Sequence, residues 1–75
     1  MKVTVKLIGP LIYPAGFSEK EITLPDAASA RDLLSRLKLE TKRPTIVTRN
    51  GGAVGPSDTI KDGDRVVVSP IYSGG

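Results

Sequence analysis

The sequence predicts an α+β fold in which a mixed sheet of four to five strands packs on one helix. Apolar and polar side chains alternate in residues 2–8, and residues 65–71 form a valine-rich apolar run typical of a strand. Between them, residues 29–38 place their apolar side chains at helical spacing instead. Strand patterns at both ends and a helical period between them are typical of a sheet with a helix on one face.

The composition limits what a chain of this size can do. Its 75 residues are expected to form a single domain over residues 1–75, and a hydrophobic content of 39% suffices for one aliphatic core. The chain has no cysteine and no histidine, so it lacks a thiol nucleophile and the usual proton-transfer group near neutral pH. We therefore expect a protein that is not an enzyme and that binds neither a cofactor nor a metal.

The charge balance favours a protein partner. The net charge is +3, from 11 basic and 8 acidic residues, which permits attraction to an acidic surface. The basic residues are scattered among acidic ones without interleaved aromatic side chains, so nucleic-acid binding is not expected. Membrane binding is not expected either, because the apolar runs are too short for a span. The first residues resemble a strand and not a signal peptide, which favours a cytoplasmic location.

The first half of the chain predicts an antiparallel hairpin with a long connection. Residues 2–8 form its first strand and residues 18–24 its second. Glycines and prolines in residues 9–17 predict a loop between them. The inward side chains are apolar: Val3, Val5, Leu7, Ile22 and Leu24.

An amphipathic helix is expected over residues 29–38. Ser29 and Asp32 have the spacing of a capping box, in which each side chain accepts a hydrogen bond from the other residue's backbone N–H. The apolar stripe that would pack on the sheet consists of Ala30, Leu33, Leu34 and Leu37.

A second hairpin and a final strand complete the fold. Residues 45–49 precede Asn50-Gly51, a dipeptide favoured in two-residue hairpin turns because both residues tolerate positive φ, and residues 53–54 would form the return strand. Residues 61–64 predict a tight turn before the final strand. Ile60 is expected in the core, Val66 and Val68 inward and Val67 outward.

Gly74 and Gly75 are the candidate reactive residues of the chain. Glycine has no Cβ, so residues 73–75 are expected to form a thin, flexible tail that can enter a narrow cleft and present a terminal carboxylate. The alternative is a frayed terminus without function, since the last residues of most domains are poorly ordered. If the first and last strands lie side by side, this tail leaves the sheet at one end.

The C-terminal segment closely resembles the signature of the MoaD/ThiS family of sulfur carriers. The matching features are Ile60, the turn Asp62-Gly63-Asp64, the valines at 66–68, Pro70 and the terminal Gly74-Gly75. Residues 2–11 resemble the first strand of the family, and the Asn50-Gly51 turn has the expected position. The resemblance implies a ubiquitin-like β-grasp fold.

The resemblance also implies a role for Gly75. A partner E1-like activating enzyme would use ATP to couple the Gly75 carboxylate to AMP, and a sulfur nucleophile would convert it to a thiocarboxylate. The long first connection and Ser69-Pro70 favour the MoaD-like branch, the small subunit of molybdopterin synthase, which pairs with a large subunit. The alternatives are a ThiS-type carrier that serves thiazole synthase in thiamine biosynthesis, a ubiquitin-like modifier joined to lysines, and an interaction domain with an inactive terminus.

A docking patch for such partners is expected near the tail. Ile8 and Val67 are apolar at positions where the alternation calls for polar side chains, and we expect them to lie side by side with Ile71 close by. Ser73 is the further partner-binding residue expected in the tail. A basic rim around the patch would consist of Lys6, Arg49 and Arg65. Single exposed apolar residues are also common without any function.

Overall fold

The computed structural model describes residues 1–39 and 45–71. The elements of this part are β1 (Lys2–Leu7), a 3-10 helix (Gly9–Leu11), α1 (Ile12–Ala15), β2 (Glu19–Thr23), α2 (Ala30–Arg36), β3 (Thr45–Arg49), β4 (Gly52–Val54) and β5 (Arg65–Pro70). They confirm the predicted α+β class. Within the same residues, no helix is both long and apolar enough to cross a membrane.

The strands form one mixed sheet in the order β2-β1-β5-β3-β4. β1 pairs antiparallel with β2 and parallel with β5, while β3 pairs antiparallel with both β5 and β4. The first and last strands are therefore neighbours, as predicted. Parallel neighbours need a long crossover connection, which here includes α2.

The core lies between α2 and one face of the sheet, called the inner face below. Its largest fully buried side chains are Leu7, Leu24, Leu33, Ile60, Val3, Val5, Val66 and Val68. Each of them was expected to point inward from the alternation, the helical stripe or, for Ile60, its isolated apolar position. Ile22, also expected inward, packs against this core but is only partly buried.

The connection between β1 and β2 is helical, so the predicted loop is wrong. The 3-10 helix and α1 occupy it, and Leu11 is buried against the core. Pro10 is tolerated in the first turn of the 3-10 helix because its missing N–H would have no acceptor within the helix. Glycine and proline are common in short helical turns as well as in loops, so their presence in residues 9–17 did not distinguish a helical connection from a loop.

The predicted capping box begins α2. The Asp32 N–H donates to Ser29 Oγ at 3.2 Å, and the Ser29 N–H donates to Asp32 Oδ2 at 2.9 Å. The hydrogen bond from the Ser29 backbone and then the contact with its side chain lower the pKa of Asp32 below its ordinary value of 3.8, and Arg36 and Arg31 add a smaller attraction. The cap therefore favours the ionised carboxylate.

The helix ends earlier than predicted, at Arg36. Lys38 adopts a left-handed conformation with φ 58°, and the Leu39 N–H donates to the Leu34 carbonyl at 2.9 Å. This is the Schellman arrangement, in which the reversed residue is usually glycine.

The second hairpin follows its prediction. Asn50 and Gly51 connect β3 to β4 with φ values of 51° and 88°. Both positive values are those that an Asn-Gly turn requires. β5 begins at Arg65 as expected and ends at Pro70, one residue before the predicted end.

Candidate functional site

The terminal segment continues from the central strand of the sheet. The predicted chemical residues Gly74 and Gly75, together with Ser73, lie outside the described residues. Ile71 is the last described residue and follows β5 directly. The geometry of the site can therefore be built from β5 and its neighbours.

β5 is held on both sides along its length. It pairs with β1 from Arg65 to Val68 and with β3 from Val66 to Pro70. The Ile8 N–H extends the first ladder by donating to the Val68 carbonyl at 3.0 Å. The strand that leads to the terminus is thus fixed by hydrogen bonds to two neighbours and by its buried valines.

The outer face of the sheet, turned away from α2, carries two rows of side chains across β5. The first row is set by register and consists of Lys6, Val67, Thr48 and Ala53. The second row consists of Ile8, Ser69 and Ile46, because Ile46 pairs with Ser69 and Ile8 follows the β1–β5 ladder. The second row is the one nearer to the carboxyl end of β5.

Three apolar residues of these rows, Ile8, Ile46 and Val67, and the exposed Ile71 that follows β5 form a surface that we call the outer-face patch. Ile8 is 37% exposed, Ile46 44% and Ile71 46%, while Val67 is half-buried. The expectation that Ile8 and Val67 lie side by side needs correction. Val67 pairs with Lys6, and Ile8 lies one row further, so the two apolar residues are diagonal neighbours on the same face.

Ile46 was missed by the sequence reasoning. It is exposed on the outer face, whereas the neighbouring Val47 is buried. The signal was present in the sequence, because an inward Val47 places Ile46 outward by alternation. Val67 is placed outward by the same alternation, because its neighbours Val66 and Val68 point inward.

The predicted basic rim is only partly on the correct face. Lys6 and Arg65 share the outer face with the patch, and Arg65 Nη2 lies 2.8 Å from Glu19 Oε1. Arg49 pairs with the inward Val66 and so belongs to the inner face, which makes its assignment to the rim wrong. It donates to the Thr59 carbonyl. Its Nε also lies 3.9 Å from Asp64 Oδ2.

The turn at residues 61–64 anchors the start of β5. Asp64 accepts hydrogen bonds from the Lys61 N–H at 2.8 Å and from Asn50 Nδ2 at 3.0 Å. Asp62 accepts one from the Lys2 N–H at 2.7 Å. The two carboxylates thus connect this turn to the other hairpin and to β1, which agrees with the expected structural role of the turn.

No group of three or more potential metal-ligating side chains occurs within residues 1–39 and 45–71. In the same part of the chain, no buried side-chain nitrogen or oxygen lacks a hydrogen-bond partner.

Comparison with known proteins places the chain in a family. Residues 5–75 match the model of the ThiS family. SAMP1 from Haloferax volcanii has a similar structure, with a TM-score of 0.80 and 25% identity over 100% of both chains. A candidate molybdopterin converting factor, subunit 1, from Pyrococcus furiosus also has a TM-score of 0.80, with 30% identity over 96% of this chain and 99% of that chain.

A third similarity concerns the fold alone. A chain from the complex of subunits 1 and 2 of the Helicobacter pylori molybdopterin-converting factor has a TM-score of 0.64 and 22% identity over 100% of both chains. Together with the Caldiarchaeum subterraneum ubiquitin, at a TM-score of 0.64, it confirms the ubiquitin-like β-grasp fold.

The family match is sufficient to assign the chain to this family because it spans almost the whole chain. Members of this family are small carriers that are not enzymes and hold no bound cofactor, and both predictions are thereby confirmed. The protein belongs to the ThiS family of ubiquitin-like sulfur carriers.

Proposed function

We propose that this protein is the sulfur carrier of molybdopterin biosynthesis and that Gly75 carries the sulfur. The observation that supports this proposal best is the family match, which extends to residue 75 and so includes Gly74-Gly75. The molybdopterin pathway is favoured by the Pyrococcus furiosus relative, which shares 30% identity over 96% of this chain.

The proposed reaction begins with activation of the Gly75 carboxylate, which is a poor acyl donor because oxide would have to leave. A carboxylate oxygen attacks the α-phosphorus of ATP on a partner enzyme, and pyrophosphate leaves. A hydrosulfide ion then attacks the carbonyl carbon of the acyl adenylate, and AMP leaves. The product is a C-terminal thiocarboxylate.

A protein persulfide would deliver the same sulfur in two steps. The persulfide attacks the acyl adenylate and releases AMP, which leaves an acyl disulfide between Gly75 and the donor. A second thiolate of the donor enzyme attacks the donor-side sulfur, forms a disulfide and releases the thiocarboxylate. In both routes ATP is bound by the partner, and the reactive atom is on the main-chain end of the carrier.

The outer-face patch is the proposed docking surface for these partners. Ile8 and Ile46 lie on either side of Ser69, two strand spacings apart, which is about 10 Å. Ile71 leads from this surface to the terminal residues. A partner that buries the patch would therefore bind next to the point where the reactive segment begins. Ser73 is proposed as a contact within that segment.

Two partners are proposed. The first is an E1-like activating enzyme, because adenylation of Gly75 needs an ATP-binding site. The second is a large synthase subunit, since the Pyrococcus furiosus relative is described as subunit 1 of a converting factor. Both reactions depend on cytoplasmic ATP and small molecules, so we propose a cytoplasmic location.

Adenylation of the purified protein tests the proposal. Incubation with the activating enzyme, ATP and a sulfur donor should add to the intact mass the difference between a sulfur and an oxygen atom. Gly74→Val and deletion of Gly75 should leave the thermal unfolding midpoint unchanged and abolish this mass gain. The matched control is Gly52→Val, because Gly52 lies in β4 and a Cβ there would meet only the Arg49 carbonyl oxygen at 3.7 Å. Normal sulfur loading of Gly74→Val would overturn the role of the tail.

The second candidate function is protein modification through Gly75. It is favoured by the similarity to SAMP1 from Haloferax volcanii, at 25% identity over 100% of both chains. Arg65 is the last basic residue, so trypsin would leave residues 66–75 on any modified lysine. Such branched peptides from cell extracts would support conjugation, whereas the thiocarboxylate alone would support the carrier role.

A ThiS-type carrier would transfer its sulfur to thiazole synthase and not to the molybdopterin precursor.

A further inference from the structure

A groove follows the outer edge of β2, on the opposite face of the sheet from the outer-face patch. It forms a half-open cavity of about 470 Å³ between β2, α1 and the end of α2. Side chains that line it include Phe17, Lys20, Ile22, Arg36, Leu37 and Lys38. We propose that this β2 groove binds an extended segment of a partner protein, in which a short apolar run is flanked by acidic residues.

The backbone of β2 is suited to strand addition. Leu24 exchanges both hydrogen bonds with Met1, and the Leu7 N–H donates to the Ser18 carbonyl. Alternate residues of an antiparallel edge strand bond to its neighbour, so the N–H and C=O groups of Glu19, Glu21 and Thr23 point away from β1. No residue that the structure describes pairs with this edge. An unpaired edge is a template for an additional strand.

The groove offers apolar surface beside this edge. Phe17 and Ile22 are half-buried against the core, and Leu37 is buried at the end of α2. A strand added to β2 would place alternate side chains over this surface, since side chains alternate between the faces. The segment therefore needs one or two apolar residues that face the groove.

Three cations surround the apolar surface. Among the described residues, Lys20, Arg36 and Lys38 form no ion pair with a carboxylate. The Lys20 ammonium instead lies 5.9 Å from the centre of the Phe17 ring. The acidic residues of β2 are engaged on the outer face, Glu19 with Arg65 and Glu21 with Lys2. The described residues that line the groove thus carry three cations, Lys20, Arg36 and Lys38, and one acid, Glu21. This excess of positive charge favours an acidic occupant.

Lys38 adds an independent observation. Its φ of 58° lies in the left-handed region, which penalises any side chain with a Cβ. Glycine would occupy this position of the Schellman arrangement at lower cost. A lysine there is unfavourable for the helix end, yet it places an ammonium group at the groove. A role in binding explains the presence of this side chain.

The test uses the full 75-residue chain, labelled with ¹⁵N, and a synthetic peptide with a Val-Ile-Val run between two pairs of acidic residues. Titration followed by amide chemical shifts should give its largest changes at Glu19, Glu21 and Thr23 and in residues 36–38. The same peptide with lysines in place of its acids should not bind, and N-methylation of its central amides should abolish binding. Higher salt should weaken the interaction.

Charge variants separate binding from folding. Lys38→Glu should weaken the peptide about fivefold, and adding Lys20→Glu should bring the loss to about tenfold or more. Arg31→Glu is the matched control, because Arg31 lies at the opposite end of α2 and does not line the cavity. Lys38→Gly should weaken the peptide while keeping or raising the unfolding midpoint, which a purely structural lysine would not do.

Several results would overturn the proposal. They are shifts confined to Ile8, Ile46 and Val67, equal binding of the acidic and basic peptides, or unchanged affinity in the Lys20→Glu/Lys38→Glu double variant. Concentration-dependent dimerisation through β2 in sedimentation experiments would also overturn it, since a second copy would then be the occupant. None of these results bears on sulfur loading of Gly75, so the two proposals can fail separately.

Discussion

The side-chain amide of Asn50 donates a hydrogen bond to the Asp64 carboxylate at 3.0 Å and so joins the β3–β4 turn to the turn before β5. Asn50 Oδ1 also accepts a hydrogen bond from the Arg65 N–H at 2.9 Å. The residue that reverses the second hairpin therefore also fixes the first residue of the central strand. Asp64 is only 8% exposed, which makes its partners difficult to replace by water.

We expect Asp64→Ala to lower the free energy of unfolding by about 2 kcal/mol, because the donors at Lys61 and Asn50 would lose a buried acceptor. Urea denaturation of the purified variants measures this change. Asp62→Ala is the control: Asp62 accepts one hydrogen bond at an exposed position and should cost less than about 1 kcal/mol. Equal losses for the two variants would contradict the anchoring role of Asp64.

The stability of the capping box should depend on pH. The pKa of Asp32 is lowered in the folded state, so its contribution is fully present above its ordinary value of 3.8 and is lost as pH falls through the lower folded value. Asp32→Asn should therefore be less stable than the unmodified protein near neutral pH, and this difference should shrink below 3.8. Thermal unfolding of both proteins across this range measures the effect. A constant difference would show that the ionised carboxylate is not the source.

Two adjacent glycines should respond differently to alanine. Gly51 has a φ of 88°, and Gly52 does not have a positive φ. A Cβ would meet nothing within 4 Å at Gly51 and an ordinary contact at 3.7 Å at Gly52. Gly51→Ala should therefore cost about 1–2 kcal/mol through backbone strain alone, and Gly52→Ala should be nearly neutral. Unfolding midpoints of the two variants, measured together, decide this comparison.

The outer-face patch should lose affinity when Ile46 becomes charged. Burying an isoleucine side chain contributes about 1.5 kcal/mol or more, so Ile46→Asp should weaken binding to the activating enzyme about tenfold or more. Calorimetry measures this affinity, and the unfolding midpoint should change little because the side chain is exposed. Ser57→Asp introduces the same charge in an exposed loop and should bind normally. If both variants bind equally well, Ile46 is not part of the docking surface.

Leu11 should contribute substantially to stability although it lies in a connection. It is 7% exposed and belongs to the main core cluster. Leu11→Ala should cost about 2–4 kcal/mol, as expected for a cavity in a packed core. Tyr13→Ala, at a position that is 85% exposed, should cost much less. A small loss for Leu11→Ala would indicate that the helical connection packs only loosely on the sheet.

The comparison of sequence and structure shows which features have local causes. Val3, Val5 and Leu7 could be placed inward because strand alternation depends only on neighbouring residues, and Asn50-Gly51 could be placed in a turn because its conformation is local. The burial of Leu11 could not be predicted, since the glycines and prolines around it occur in loops and in short helices alike. The rim position of Arg49 was wrong because the face of a residue depends on strand register, which single-residue patterns give only indirectly.

The candidate sites differ in the same way. Ile8 and Val67 were identified by alternation, and Ile46 was accessible to the same reasoning. The β2 groove was not predictable, because Lys20 and Lys38 are far apart in the sequence and line the same cavity only through the packing of α2 against the sheet. The roles of Gly74 and Gly75 remain predictions that the sulfur-loading experiment tests, and the role of Ser73 also remains a prediction.

The central position of β5 has a mechanical consequence. A partner that grips the terminus and pulls along the strand axis would load the ladders to β1 and β3 in shear, so many bonds would have to rupture together. A terminal strand at the border of the sheet could instead be peeled away one bond at a time. We therefore expect the fold to stay intact when one of the proposed partners releases the terminus.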